Sequence, residues 1–184
     1  MATKKKVTAK RHAGKSVKPA AKRQVLRSPR LTVQPIPDRY PGATPYLCVD
    51  GAVAAIEFYK KAFGAVELFR ITAPGGTIGH AELRIGKAII MLSDEWPDYG
   101  VRGPRSIGGT PVTISLYFKD VDAIEKRARA AGATITRPAE NQFYGDRTAQ
   151  LEDPFGHRWT IATHIEDVPP REMKKRVAKM FGIQ

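Results

Sequence analysis

Two of the chain's histidine-containing stretches could carry chemistry. His80 and Glu82 lie two residues apart in IGHAELRIG (78–86), whose alternating polar and apolar residues predict a β-strand. Side chains two apart on a strand share a face, with Cβ atoms about 7 Å from each other. That arrangement suits a carboxylate that orients an imidazole for acid–base catalysis. It equally suits an ion pair on a solvated strand face, and both interpretations stay open.

The second stretch, LEDPFGHRWTIATH (151–164), contains His157 and His164. The two residues are seven positions apart, so along one strand their side chains point to opposite faces and cannot hold one metal ion together. His157 follows a turn, and we expect a solvated turn residue there. His164 ends a predicted strand, where it could reach a ligand cleft or bind a neighbouring backbone group.

Composition favours a soluble globular protein. The chain has 184 residues, 42% of them hydrophobic, which is enough for one domain or two small halves that share a core. Its one cysteine, Cys48, excludes a disulfide framework and predicts a reducing, cytoplasmic location. No apolar run approaches the roughly 18 residues of a membrane span.

The net charge of +13 is concentrated at one end of the chain. Residues 1–37 contain eleven Lys and Arg and no acidic residue, which predicts a basic, disordered tail. Such a tail attracts nucleic acid through counterion release, but it offers no aromatic side chain for base stacking. A solubilising extension is the simpler interpretation, and nucleic-acid association through the tail is an alternative.

The rest of the chain contains a duplication. AIEFYKKAFGA (55–65) and AIEKRARAAGA (123–133) match without a gap, and both have helical periodicity and end at a glycine. Asp50 and Asp120 precede them as candidate N-caps. One predicted strand lies before each helix and three follow it. We therefore predict two βαβββ modules within residues 38–168, at about 41–98 and 109–166, followed by a C-terminal helix over 169–184 with Asp167 as its cap.

Strand alternation predicts that the helices cover the apolar side of each sheet and that the polar sides line a shared cleft. Apart from His80 and Glu82, the predicted ligand-binding residues on these polar sides are Tyr46, Thr113, Ser115, Tyr117, Gln150, Glu152, Thr160 and His164. Alignment of the modules places Gln150 opposite His80 and Glu152 opposite Glu82. A cleft between two modules is a common place for a small ligand.

Several stretches resemble the vicinal oxygen chelate superfamily, also called the glyoxalase/bleomycin-resistance/dioxygenase superfamily. They are PYLCVDGAVAAIEFYKKAFGA, IGHAELRIG, QFYGDRTAQLEDPFGHRW and IATHIEDV. The chain is similar to a glyoxalase-like subgroup that is sometimes labelled 3-demethylubiquinone methyltransferase-like. The resemblance implies an α+β fold in which two βαβββ modules form a curved mixed sheet around a cleft, commonly in a homodimer.

The resemblance also implies where a metal would be held. Metal enzymes of the superfamily take one ligand from the first and one from the last strand of each module. These positions correspond to Thr44, Ile90, Thr113 and Thr160, and a one-residue slip gives Pro45, Met91, Ile114 or Ile161. None of these is a carboxylate, imidazole or thiolate. We therefore expect no metal and no cofactor.

The leading hypothesis is a homodimer that binds a small molecule in its cleft without the usual metal. The alternative is a lyase, isomerase or dioxygenase-type enzyme acting on a carbonyl or vicinal-oxygen substrate, through His80 and Glu82 or a non-standard metal site. A methyltransferase is not favoured, because the GGT at 108–110 leads into a strand rather than a helix.

Overall fold

A computed structural model describes residues 33–182 of the chain, and the basic residues of the predicted tail lie outside this range. The first module consists of β1 (Tyr46–Val49), α1 (Ala52–Phe63), β2 (Val66–Thr72), β3 (Ile78–Ile85) and β4 (Ala88–Asp94). A 3₁₀ turn (Pro97–Tyr99) and the short α2 (Pro104–Ile107) lead to the second module. It consists of β5 (Thr113–Tyr117), α3 (Val121–Ala130), β6 (Thr134–Asn141), β7 (Asp146–Glu152) and β8 (Arg158–His164), and α4 (Pro170–Phe181) follows.

Each module forms a four-stranded mixed sheet with the same topology. The strand orders are β1-β4-β3-β2 and β5-β8-β7-β6. In both sheets the first strand is parallel to the last, while the other pairings are antiparallel. The predicted α+β fold with paired βαβββ modules is confirmed, and neither sheet closes on itself. β1 and β5 are edge strands, each with one paired neighbour.

The predicted alternation is confirmed in the core. In β8, Trp159 and Ile161 are fully buried, and in β1 Leu47 and Val49 are buried beneath α1. Side chains of both modules contribute to one continuous apolar core, because α1 and α3 pack against each other. We call the side of each sheet opposite the helices the open face.

A buried carboxylate joins the two modules. Asp153, in the turn between β7 and β8, accepts hydrogen bonds from the Tyr59 hydroxyl of α1 at 2.7 Å and from Trp159 Nε1 at 2.8 Å. Its other oxygen accepts the backbone N–H groups of Phe155 and His157 at 2.9 and 3.0 Å. Burial raises the pKa of Tyr59 well above its ordinary value, so this phenol remains a donor. The relative position of the modules thus depends partly on one fully satisfied polar group.

The helix caps differ between the modules. Asp120 caps α3 as predicted, by accepting Ala123 N–H at 3.0 Å. The prediction for Asp50 is wrong, because the N-cap of α1 is Gly51 and it makes no side-chain cap bond. Asp94, at the end of β4, instead accepts the N–H groups of Gly51 and Ala52 at 3.1 and 2.6 Å. A cap supplied from a neighbouring strand leaves no local signal in the sequence.

The strand register corrects the predicted correspondence between the modules. Met91 in β4 and Thr160 in β8 hold equivalent positions in the last strand of their modules. Glu82 pairs with Met91, and Gln150 pairs with Thr160. His80 lies two residues before Glu82. Gln150 is therefore the counterpart of Glu82, and Thr148 rather than Gln150 is the counterpart of His80. The shift arises because the turn between β7 and β8 is longer than the turn between β3 and β4.

The C-terminal helix is attached at few points. Arg176 binds Glu166 at 2.6 Å and the Phe143 carbonyl at 3.0 Å. The predicted Asp167 cap is wrong, since the N-cap is Pro169 without a side-chain bond. No residue of α4 is buried. Within residues 33–182, no helix is long and apolar enough to cross a membrane.

We expect Asp94→Ala to lower the free energy of unfolding by about 4–5 kcal/mol, the lower end for three bonds to a charged acceptor that contribute about 1.5–3 kcal/mol each. The carboxylate also accepts Ile78 N–H at 2.6 Å, so the substitution leaves three donors without their acceptor. Urea denaturation measures the change. Asp50→Ala is the matched control and should stay within about 0.5 kcal/mol of the parent; an equal loss in both variants would contradict this account.

Candidate functional site

The open faces meet along a seam between the edge strands β1 and β5. A cavity of about 560 Å³ lies there, within the range of small-molecule pockets. Three predicted cleft residues line it: Tyr46, Thr113 and Ser115. The hydroxyls of Thr44 and Thr110 also contribute, and the apolar lining comes from Leu47, Val112 and Ile114 among others. The cavity can therefore offer hydroxyl donors and acceptors together with apolar contact.

The remaining predicted cleft residues lie elsewhere on the second sheet. Gln150 and Glu152 line a smaller hollow of about 280 Å³, and Tyr117 and His164 border a shallow depression of about 390 Å³. Thr160 pairs with Ser115 on one side and Gln150 on the other. The structure thus distributes the predicted set over several sites along one sheet.

His80 and Glu82 lie close together on the open face of the first sheet. His80 Nε2 is 3.5 Å from Glu82 Oε1, and His80 Nδ1 is 3.0 Å from the Tyr46 hydroxyl. The Phe69 ring lies beside the imidazole, with 6.2 Å between the ring centroids. The carboxylate therefore approaches one ring nitrogen and the phenol the other, an arrangement that can hold the imidazole in a fixed orientation.

Glu82 has two further partners that the sequence did not reveal. The Tyr40 hydroxyl donates to Glu82 Oε1 at 2.6 Å, and Arg39 Nη1 donates to Oε2 at 3.0 Å. The hydrogen bond from Tyr40, assisted by Arg39, outweighs burial and lowers the pKa of Glu82. Glu82 is thus a hydrogen-bond acceptor for Tyr40 and Arg39, with His80 Nε2 beside the same carboxylate. Arg39 and Tyr40 precede the first strand, where no periodicity points to a role.

The positions that correspond to metal ligands hold poor donors. Ile90 is buried in the core, so of the two last-strand positions considered, Ile90 and Met91, it is Met91 that pairs with Tyr46 and Glu82. With Met91 the set has one thioether and three threonine hydroxyls, which do not fit a tightly held divalent cation. Among residues 33–182 no three His, Cys, Asp or Glu side chains are grouped so that they could hold a metal ion.

A second hydrogen-bonded chain lies at the end of β8. Asp146 is buried and accepts the Tyr117 hydroxyl at 2.6 Å and His164 Nδ1 at 2.7 Å. Burial opposes ionisation of Asp146, but the bonds from Tyr117 and His164 outweigh it and lower its pKa. His164 Nε2 lies 3.0 Å from Asp167. This carboxylate joins two of the predicted cleft residues, and no local pattern in the sequence indicates it.

His157 and Cys48 meet across the modules. His157 Nε2 lies 3.0 Å from the Cys48 carbonyl oxygen, and His157 lines the seam cavity. The expectation of a solvated turn residue is therefore wrong. Burial, assisted by Glu95 and Asp94, raises the pKa of the Cys48 thiol to about 11. The Cys48 side chain is therefore held as the neutral thiol.

Because the Cys48 pKa is raised to about 11, we expect alkylation by iodoacetamide at pH 8 to be at least about tenfold slower in the folded protein than in guanidinium, where the thiol has a pKa near 8.5. Mass spectrometry of quenched samples gives both rates. Equal rates would show that the folded thiol is not suppressed.

The bond with Asp146, followed by that with Asp167, raises the pKa of His164. A raised pKa in the folded state adds stability that is complete below the unfolded value of about 6.5 and is lost as pH rises through the folded value. His164→Asn should therefore lose most stability below the unfolded pKa of about 6.5, and the difference from the parent should shrink as pH rises through the raised pKa of the folded state. Denaturation midpoints across this range test it; a constant difference would refute it.

Comparison with known proteins agrees with this architecture. The glyoxalase/bleomycin resistance protein/dioxygenase superfamily model matches residues 43–161. An uncharacterised protein of Mycobacterium bovis is 46% identical over 137 residues, which are 73% of this chain and 90% of that protein.

Two crystal structures are similar as well. TioX from Micromonospora sp. ML1 is 27% identical with a TM-score of 0.54, over 70% of this chain and 99% of that one. An Arabidopsis thaliana gene product is 26% identical with a TM-score of 0.55, over 67% of this chain and 98% of that one. With the paired modules described above, these matches establish that the chain belongs to the glyoxalase/bleomycin resistance protein/dioxygenase superfamily.

Proposed function

We propose that this protein binds a small organic molecule in the seam cavity between β1 and β5, without the metal ion used by the superfamily's metalloenzymes. The observation that carries the proposal is the lining of that cavity. Hydroxyl groups of Thr44 and Thr113 stand at two of the positions that correspond to metal ligands, beside Tyr46. Such a surface binds a ligand through hydrogen bonds and apolar contact rather than through coordination.

The open face also presents apolar groups suited to an aromatic ligand or a second subunit. Tyr46 and Ile71 are each 52% exposed, Phe69 is 47% exposed and Tyr117 is 65% exposed. Exposed apolar groups clustered on one face commonly mark an interface. A homodimer that covers the open faces would bury them and enclose the ligand.

An enzyme that uses His80 is the second candidate. It is favoured by the contacts of His80 with Tyr46 and Glu82, which hold the imidazole between a phenol and a carboxylate. With Nε2 directed at Glu82, the imidazole would accept at Nδ1, in place of its bond with the Tyr46 hydroxyl, a proton from a carbon or hydroxyl next to a carbonyl group. The Glu82 carboxylate would stabilise the resulting imidazolium. In this version Arg39 and Tyr40 keep Glu82 ionised and His80 aligned.

The proposal is tested by screening a library of small carbonyl compounds and aromatic acids against the full-length protein, with amide chemical shifts as the readout. We expect shifts to cluster at Thr44, Thr113 and Ser115, and to be unchanged by EDTA or by added zinc, which is diamagnetic and leaves amide signals observable. Ser115→Trp should abolish them, because the indole fills the cavity. Thr134→Trp, on an exposed strand position, is the matched control.

Turnover assays separate the two candidates. Chelator-sensitive turnover of a hemithioacetal or a catechol would overturn the metal-free proposal. Chelator-insensitive turnover that is lost in His80→Gln, while ligand-induced shifts persist, would support the enzyme instead of a binding protein.

A further inference from the structure

A second cavity of about 650 Å³ lies beside the same seam. A hollow of about 300 Å³ shares Thr44 with the cavity described above and Lys87 with this one. The second cavity is formed by the end of α1, the turn between β3 and β4, β5 and α3, and it shares only Ser115 with the cavity described above. Its apolar lining consists of Phe63, Ile85, Leu116, Phe118 and Ile124. Lys87 and Arg127 add two cationic groups, and no acidic residue belongs to the lining.

Arg127 is fixed in position at this cavity. Its Nε and Nη2 atoms donate to the Lys61 carbonyl oxygen at 3.2 and 3.0 Å, which also satisfies a carbonyl near the C-terminal end of α1. The guanidinium therefore stands beside the cavity with its charge opposed by a carbonyl and not by a carboxylate. Its Nη1 makes no hydrogen bond within residues 33–182.

The turn on the opposite side adds to the positive potential. Lys87 is exposed and forms no ion pair with any residue of the described range 33–182. Arg84 Nη1 donates to the Gly86 carbonyl at 3.1 Å, so a third cation lies next to the same turn. Cationic groups at an apolar pocket without acidic neighbours favour an anion with an apolar body. The cations bind the charged group of such a ligand, and the apolar side chains contact its body.

We propose that this cavity binds a small amphipathic anion, with its acidic headgroup between Lys87 and Arg127 and its aromatic or aliphatic body against Phe63, Leu116 and Phe118. The volume suits a drug-sized molecule. The headgroup can be a carboxylate, sulfonate or phosphate, since each accepts hydrogen bonds from a guanidinium and an ammonium. The site does not depend on the ligand proposed for the seam cavity near Tyr46.

A matched pair of fluorescent probes tests the proposal on the full-length protein. 8-Anilinonaphthalene-1-sulfonate carries an anionic headgroup, and N-phenyl-1-naphthylamine has the same aromatic body without it. We expect the sulfonate to bind with one-to-one stoichiometry and at least about fivefold more tightly than the neutral probe, which corresponds to one favourable charge contact of about 1 kcal/mol. Equal affinities would overturn the preference for an anion.

Charge-neutralising variants locate the probe. Lys87→Gln and Arg127→Gln should each weaken binding of the sulfonate about threefold or more, with little effect on the neutral probe. Lys126→Gln removes the same charge from the exposed surface of α3 outside the cavity and should leave both affinities unchanged. Lys87 lies in a turn, so Lys87→Gln remains informative if Arg127→Gln fails to fold.

Two further results would reject the site. The first is an equal loss of affinity in all three variants, which would indicate a response to net charge alone. The second is sulfonate affinity that falls as protein concentration rises, which would mean that a second copy of the chain covers the cavity. Sulfonate-induced amide shifts at Gly86, Ala88 and Phe118 support the proposal. Shifts confined to Thr44 and Thr113 would show that the probe binds in the other cavity and would contradict it.

Discussion

The arrangement of the two modules depends on a buried carboxylate with four hydrogen-bond donors. Asp153 lies in the second module and accepts the Tyr59 hydroxyl from the first, and Trp159 packs beside that phenol in a tilted arrangement with ring centroids 5.5 Å apart. A buried carboxylate is costly unless its acceptor sites are filled. Its satisfaction therefore ties α1 to the β7–β8 turn, and both cavities along the seam require that alignment.

The same turn brings His157 to the Cys48 carbonyl oxygen. The contact between the modules therefore has a polar part at His157 and an aromatic part at Tyr59 and Trp159. The edge strands β1 and β5 are held next to each other by these contacts between modules, not by pairing with each other. A gap remains between them as a result, and the cavity lined by Tyr46, Thr113 and Ser115 lies in that gap. Contact between the helices and separation of the edge strands are two features of one packing arrangement.

Much of the fold follows from periodicity in the sequence. The repeated AIE…GA helices and the alternation in residues such as Trp159 and Ile161 predicted two equivalent modules, because a 3.6-residue and a two-residue period can be recognised locally. The site was less predictable. His80 and Glu82 were found because they are two apart on one strand, whereas the contacts of Glu82 with Arg39 and Tyr40 span more than forty residues. The hydrogen bonds of Asp94 and Asp146 were not predicted for the same reason, because their donors come from elements distant in sequence.

The residues before the first strand supply hydrogen-bond donors to Glu82. The superfamily match starts at residue 43, three positions after the tyrosine that donates to this carboxylate. A protein cut at the start of the match would keep every strand and helix, yet it would leave a negative charge in a shielded position with its two strongest donors removed. The segment before the first strand thus contributes to the hydrogen bonding of the open face. A change of sequence in this segment would alter the surroundings of Glu82 without altering any strand.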